Sequence, residues 1–381
     1  MPQPLIYLDY AAATPVDEGV LALMQPYASA QFYNPSATYR VALDVHKALE
    51  AARTKIAFWL GARSSEVLFT AGGTEANNLA IHGVMSQYPT ANIVVSAIEH
   101  SAVLEPARQY DCREAGVRAD GRLDLEGLSE TIDEATVLVS VMHANNEIGT
   151  VQPLREVALL VQAIKKQRVA AGNPLPLYLH TDACQAGNYL DLHVTRLGVD
   201  LMTINGGKLY GPKQSGALYV RGSLVLRPLI YGGGQERGLR SGTENVAGAI
   251  GLAAAVDVAQ QLRLAEVKRL QDLQQIFRSR LAAQLPQATI NGSWQHRLPN
   301  NIHVTLPGVD NERLLIQLDE AGVMAAAGSA CSASDQEASH VLRALGLSKA
   351  TAQSSLRFSM GRPTTVAMIE RTVQLLASFV A

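Results

Sequence analysis

Lys208 stands apart from most of the eight lysines of the chain. Lys47, Lys55, Lys165, Lys166 and Lys268 fall on helical patterns, where a surface cation belongs. Lys208 follows Gly206-Gly207 in a loop that leaves an apolar run, so its amine can approach a ligand closely. Asp182 closes another apolar run one strand–helix–strand step upstream, in His180-Thr181-Asp182-Ala183-Cys184-Gln185. A carboxylate at the end of a buried strand is costly unless it is paired or functional. Further upstream, Ala71-Gly72-Gly73-Thr74-Glu75-Ala76-Asn77-Asn78 joins glycines to a threonine at a helix start. Such a segment aims backbone N–H groups and a hydroxyl at an anion, most simply a phosphate. Taken singly, each segment also suits an ordinary turn or helix cap, as does the polar run from His143 to Gly149. In this order and spacing, a phosphate cradle, a strand-end carboxylate and a loop lysine make the set that a pyridoxal phosphate enzyme requires. The lysine holds the aldehyde as a Schiff base, and the aspartate keeps the ring nitrogen protonated so that the ring can accept electrons from Cα.

The elements that must position these residues are legible as alternating patterns. Apolar runs predict strands at Glu66–Thr70, Asn92–Ile98, Thr136–His143, Leu177–Asp182, Leu201–Asn205 and Gly216–Val220. Between most of them lie helical stripes, such as Val41, Val45, Ala48, Leu49, Ala52, Ile56, Trp59 and Leu60. This alternation predicts an α/β fold with a mostly parallel sheet covered on both faces. The short loop between the last two strands predicts an antiparallel edge there. Beyond about residue 243 the texture changes to a long helix over Asn245 to Leu285, a strand at Asn301–Leu306 and a helix at Asn311–Ala321. A small-residue segment from Ala325 to Ser339, a strand at Ser355–Ser359 and a closing helix from Thr365 follow. The expected division is a large domain over residues 16–258 and a smaller α+β domain from residues 1–15 and 259–381, and no internal repeat is visible.

Composition bounds the function. The chain has 381 residues, 48% of them hydrophobic and 17% charged, which is ample for a core and excludes wholesale disorder. Thirty-two basic and 34 acidic side chains leave a net charge of −2, with no basic field for nucleic acid or an anionic membrane. The longest apolar run, Val246 to Val256, falls far short of the roughly 20 residues of a membrane span. Nothing after Met1 reads as a secretory signal, and the odd, scattered Cys112, Cys184 and Cys331 suggest neither a disulfide framework nor a zinc ribbon. A cytoplasmic globular protein is expected.

The sequence resembles the cysteine desulfurases, in the class V branch of fold-type I pyridoxal phosphate enzymes. The resemblance runs over essentially the whole chain, from Tyr7-Leu8-Asp9-Tyr10-Ala11-Ala12 to the last helix. Its most specific motifs are Gly73-Thr74-Glu75-Ala76-Asn77-Asn78, Asn145-Asn146-Glu147-Ile148-Gly149, Asp182-Ala183-Cys184-Gln185, Arg240-Ser241-Gly242-Thr243, Gly328-Ser329-Ala330-Cys331-Ser332-Ala333-Ser334 and Leu356-Arg357-Phe358-Ser359. It implies a seven-stranded sheet in the large domain and Lys208 as the Schiff-base lysine. Asp182 would partner the pyridine nitrogen, Gln185 the ring hydroxyl, and Asn146 the ring and the substrate carboxylate. His100 would stack on the ring, and Gly73, Thr74, Asn205 and Gly207 would line the phosphate. Thr243 would reach the phosphate of the other subunit in a homodimer, and Arg357 would bind the α-carboxylate of L-cysteine, a bidentate task suited to guanidinium.

Cys331 separates the possible activities. It lies in a stretch of Ala, Gly and Ser with little to pack, which predicts a mobile surface loop rather than a core cysteine. A thiol there suits a nucleophile that takes sulfur from the substrate and hands it to an acceptor, such as an iron–sulfur scaffold or a tRNA-thiolation enzyme. An aminotransferase needs no such thiol. A selenocysteine lyase, or a non-catalytic protein that binds pyridoxal phosphate, are the alternatives. His100 is the candidate proton shuttle, because only the thiolate of a cysteine is a useful nucleophile. The chain departs from the family at Tyr39, Gly207 and Gln235, where histidine is usual, at Asn205, where serine is common, and at Ala42, where glycine is common.

Overall fold

The computed structural model describes residues 5–328 and 339–380. Its strands are β1 (Ile6–Tyr7), β2 (Val67–Thr70), β3 (Asn92–Ser96), β4 (Asp111–Ala115), β5 (Thr136–Ser140), β6 (Tyr178–Asp182), β7 (Leu201–Asn205), β8 (Gly216–Val220), β9 (Thr289–Ile290), β10 (Asn301–Thr305), β11 (Val323–Met324) and β12 (Ser355–Ser359). Seven of them form one sheet in the order β2-β8-β7-β6-β5-β3-β4. Pairs along β7-β6-β5-β3-β4 are parallel, and β8 runs antiparallel to both β2 and β7. The antiparallel β7–β8 pair is as expected, but it does not form the edge. β2 lies outside β8, and β4 holds the opposite edge. Strands β3 and β5 are buried along their whole length, in keeping with their unbroken β-branched and apolar runs.

The helices are α1 (Glu18–Ala28), α2 (Arg40–Leu60), α3 (Gly73–Met85), α4 (Ser101–Ala107), α5 (Leu125–Thr131), α6 (Leu154–Ala170), α7 (Val194–Leu197), α8 (Val246–Gln284), α9 (Asn311–Glu320), α10 (His340–Ala344), α11 (Lys349–Ala352) and α12 (Val366–Val380). Helix α2 buries Ala42, Val45, Leu49, Ala52, Ile56 and Leu60, while Val41, placed on that stripe by spacing, is exposed. Helix α8 begins at an Asn245 cap, whose Oδ1 accepts from Gly248 N–H at 3.0 Å. Its length of 39 residues corresponds to about 58 Å. Val256 and the residues before it pack on the core of the seven-stranded sheet, whereas Leu270, Leu273, Phe277 and Leu281 join a second cluster. That second cluster covers the antiparallel sheet β12-β10-β9 and the pair β1–β11. No helix among the described residues is long and apolar enough to cross a membrane.

The N-terminal strand β1 pairs in parallel with β11, through Ile6↔Val323 and Tyr7↔Met324. The chain then bridges Asp9 to Ser359 at the end of β12 and crosses to the large sheet, where Thr14 N–H donates to Gly207 O at 3.2 Å. Residues 9–14 therefore form a strap between the two sheets.

Candidate active site

The loops after β2, β6 and β7 meet at one end of the large sheet, the ligand-bearing end of an open α/β fold. After β2 the backbone turns through Gly72 at φ +137°, and α3 starts at Gly73 with no side-chain cap on its first N–H groups. Those donors have no partner within the helix. A Cβ at Gly73 would lie 2.7 Å from Cys184 Sγ and 3.4 Å from Asn205 Cβ, so glycine is what lets the three loops close together. After β7, Asn205 Oδ1 accepts from Gly207 N–H at 3.1 Å, and the short turn delivers Lys208. Asn188 Nδ2 donates to Lys208 O at 2.7 Å.

Asp182, 6% exposed at the end of β6, has both carboxylate oxygens held by neutral donors. Asn77 Nδ2 donates to Oδ2 at 2.7 Å and Cys184 N–H to Oδ1 at 2.9 Å. Burial and the neighbouring Asp182 push the Cys184 thiol well above its ordinary value, which makes it inert packing. His100 lies beyond β3, which ends at Ser96 rather than at Ile98. It caps α4, with Nδ1 accepting from Ala102 N–H at 3.0 Å. That bond leaves the hydrogen of the neutral ring on Nε2. Its pKa is lowered chiefly by burial, with Asp182 raising it and Lys208 lowering it further.

The strap binds several of the expected site residues. Gln185 Nε2 donates to Ala11 O at 3.0 Å, and Lys208 Nζ donates to Ala12 O. Arg357 of β12, 1% exposed, donates from Nη2 to Asp9 Oδ1 at 2.6 Å and from Nη1 to Asn146 O at 2.9 Å. Beneath this layer Glu99 is fully buried. Its Oε1 accepts from Met142 N–H at 2.5 Å, and burial raises its carboxyl well above the usual range. Ser339 Oγ donates to Glu147 Oε2 at 2.6 Å, and His340 Nε2 to Glu99 O at 2.8 Å, so α10 starts beside Asn146 and His100.

Gly73, Asn146, Asp182, Gln185, Asn205, Gly207, Lys208 and Arg357 are thus joined by one set of contacts, with His100 electrostatically coupled to Asp182 and Lys208. Thr74 is exposed at the start of α3. Thr243 is exposed and lines a cavity of about 230 Å³ with Thr70, Gln214, Arg240 and Asn245, a lining that includes neither Lys208 nor Asp182. Cys331 lies outside the described residues. Tyr39 is exposed at the N-cap of α2, and Gln235 Oε1 accepts from Gly242 N–H at 2.8 Å. A Cβ at Gly207 would meet only ordinary contacts, so packing does not require glycine there. Asn77, Glu99 and Asp9 were not among the expected site residues. The signal for Asn77 is its place one turn into α3, on the same side as Gly73.

The model for class V aminotransferases matches residues 6–372. Cysteine desulfurase IscS of Dictyoglomus turgidum is 39% identical over 378 residues, covering 97% of this chain and 93% of that protein. Cysteine desulfurase IscS 1 of Archaeoglobus fulgidus is 37% identical, over 97% of this chain and 95% of that one. A solved NifS-like protein superposes with a TM-score of 0.91 at 31% identity, covering 99% of each chain. The chain belongs to the class V aminotransferases, in their pyridoxal phosphate-dependent cysteine desulfurase branch. The residues present fit that cofactor. The uncapped start of α3 offers N–H donors for a phosphate, and the buried Asp182 carboxylate, held by neutral donors, suits a protonated ring nitrogen.

Proposed function

We propose that this cysteine desulfurase takes the sulfur of L-cysteine onto Cys331, releases L-alanine, and passes the persulfide to an acceptor protein of the cytoplasm, an iron–sulfur scaffold or a tRNA-thiolation enzyme. The observation that supports the reading is the convergence of Asp182, Lys208 and Arg357 from three separate strands, with Asn146 between the sheets. Bound pyridoxal phosphate supplies an electron sink for the bond broken at Cα. Gly73, Thr74, Asn205 and Gly207 would hold its phosphate, Asp182 its ring nitrogen, Gln185 its hydroxyl, and Lys208 would bind it covalently through Nζ. Arg357 and Asn146 orient the substrate carboxylate, and the Lys208 amine moves the Cα proton. The Cys331 thiolate attacks the substrate sulfur, so that an S–S bond forms as the Cβ–S bond breaks.

His100 is the candidate carrier of the thiol proton. With Nδ1 bonded to Ala102 and the hydrogen on Nε2, the neutral ring can donate but not accept. Accepting a proton requires Nδ1 to release Ala102. Homodimerisation, with Thr243 serving the partner's phosphate, accords with the exposed apolar side chains Leu21, Leu23, Phe32, Tyr39, Val41 and Leu43. A division into two domains near residue 258 accords with the change of packing partner along α8. Free thiols at Cys112 and Cys184 suit a reducing compartment.

Intact mass spectrometry of the cofactor-loaded protein after brief exposure to L-cysteine tests the reading. One added sulfur atom with alanine released, and no such adduct on Cys331→Ala, is the expected outcome. Alanine release with an unchanged adduct on Cys331→Ala would move the acceptor to another thiol.

A further inference from the structure

Arg357 is held in place by its backbone. Its N–H and C=O both bond to Ala326, at 2.6 and 3.1 Å, and its strand pairs with β10 through His303. Of its guanidinium nitrogens, Nη1 is given to the Asn146 carbonyl and Nη2 to the Asp9 carboxylate. Nε is buried and has no partner among the described residues. A donor left unpaired inside a protein is costly, and it points to an acceptor that arrives from outside. A carboxylate taking the Nε–Nη2 edge bidentately would meet Asp9 at Nη2. Asp9 is the movable member of the pair, since its side chain is 18% exposed and sits on the strap, whereas that of Arg357 is 2% exposed.

We propose that Asp9 is a specificity-determining residue, a resident carboxylate that occupies Arg357 until the α-carboxylate of the amino acid displaces or shares it. The inference rests on Arg357 as the carboxylate-binding residue. Asp9 already neutralises Arg357, so an arriving α-carboxylate adds a second negative charge to a largely buried site. Like charges at this range oppose binding. The product alanine keeps the same carboxylate, so Asp9 weakens the hold on product as well as substrate. Its return to Arg357 refills the Nη2 donor as alanine leaves. The strap that carries Asp9 also presents Ala11 O to Gln185 and Ala12 O to Lys208, so displacement of Asp9 is felt at both.

The test compares L-alanine with L-alaninamide, which is similar in size but lacks the negative charge. Binding to the holoenzyme is followed by the absorbance of the bound cofactor and by calorimetry. Asp9→Asn should tighten L-alanine by about tenfold and change L-alaninamide by less than about twofold. Asp9→Ala should give the same sign, and it serves if the asparagine variant does not fold. Equal weakening of both ligands, or no change in either, overturns the proposal and leaves Asp9 as a structural partner of Arg357. Arg357→Gln is the control for the underlying reading. If it leaves the discrimination between the two ligands untouched, Arg357 does not read the carboxylate, whatever Asp9 does.

Discussion

The proposed cofactor side and the proposed substrate side of this site are built in different ways. Gly73, Asp182, Asn205 and Lys208 follow strands β2, β6 and β7 of one sheet, and short local bonds such as Asn205 to Gly207 and Asp182 to Cys184 shape their loops. On the substrate side, Arg357 reaches Asn146 across 211 positions and Asp9 across 348. The first side follows from topology, while the second exists only once the antiparallel sheet and the strap have docked. The difference implies that damage to the cradle should appear in turnover, and damage to the seam in substrate binding. Asp182→Asn is the largest expected effect. It keeps shape and removes the charge, so turnover should fall about a thousandfold, with KM for L-cysteine within about threefold. Steady-state alanine formation measures both, and a KM change as large as the turnover loss would erase the distinction between the two sides.

The same contrast governs what could be read from the sequence. Strands β5 to β8, the long helix α8 and the cradle residues were legible because apolar periodicity and glycine-bearing turns are local signals. Strand β4 was missed because Asp111-Cys112-Arg113-Glu114-Ala115 carries no apolar alternation. It pairs only with β3 and presents charge at the sheet margin, as edge strands do. The position of β8 inside β2 was equally hidden, because a short loop indicates antiparallel pairing with β7 and says nothing of a strand whose paired residues lie 146 to 152 positions upstream. Asp9 was visible as a motif residue, but its bond to Arg357 is a product of long-range docking. Asn77 was quoted with the glycine turn, yet its role needs the separation of 105 positions to Asp182 to be closed by the fold.

Acid stability asks whether the two bodies also differ energetically. Burial lowers His143 and His180 to about 4 and His303 to about 3. Each stays neutral when folded and takes up a proton on unfolding, so its contribution is lost as pH falls from about 6.5 toward those values. Glu99 works in the opposite sense. Its carboxyl is raised well above 4.5 when folded, so above that pH the unfolded chain gives up a proton that the folded chain keeps. Around the large sheet Glu99 opposes His143 and His180, and His303 in β10 acts unopposed by it beside the small sheet. From these four groups stability should fall as pH drops from about 6.5 toward 4.5, the three histidines outweighing the one carboxyl. Thermal unfolding at several pH values gives the total. Hydrogen exchange resolved along the chain should show both β5–β6 and β10 weakening in acid, and an acid slope confined to one sheet would set the two bodies apart.

Asn77→Ala is the smallest expected change and the most discriminating. Asn77 is 1% exposed, and its Oδ1 has no partner among the described residues, so what it brings to the site is the Nδ2 donor at 2.7 Å from Asp182. Removing one hydrogen bond to a charged group costs about 1.5–3 kcal/mol when the partner is left buried. Water admitted by the missing side chain recovers part of this, so turnover should fall by about tenfold rather than a hundredfold. The arm touches no part of the strap and none of the Arg357 donors. KM for L-cysteine should therefore stay within about twofold of the wild type, in a variant whose cofactor absorbance shows the site loaded. If KM rises with little loss of turnover, the strain released at Asp182 travels through Gln185 and Ala11 to Asp9, and the two sides form one coupled unit.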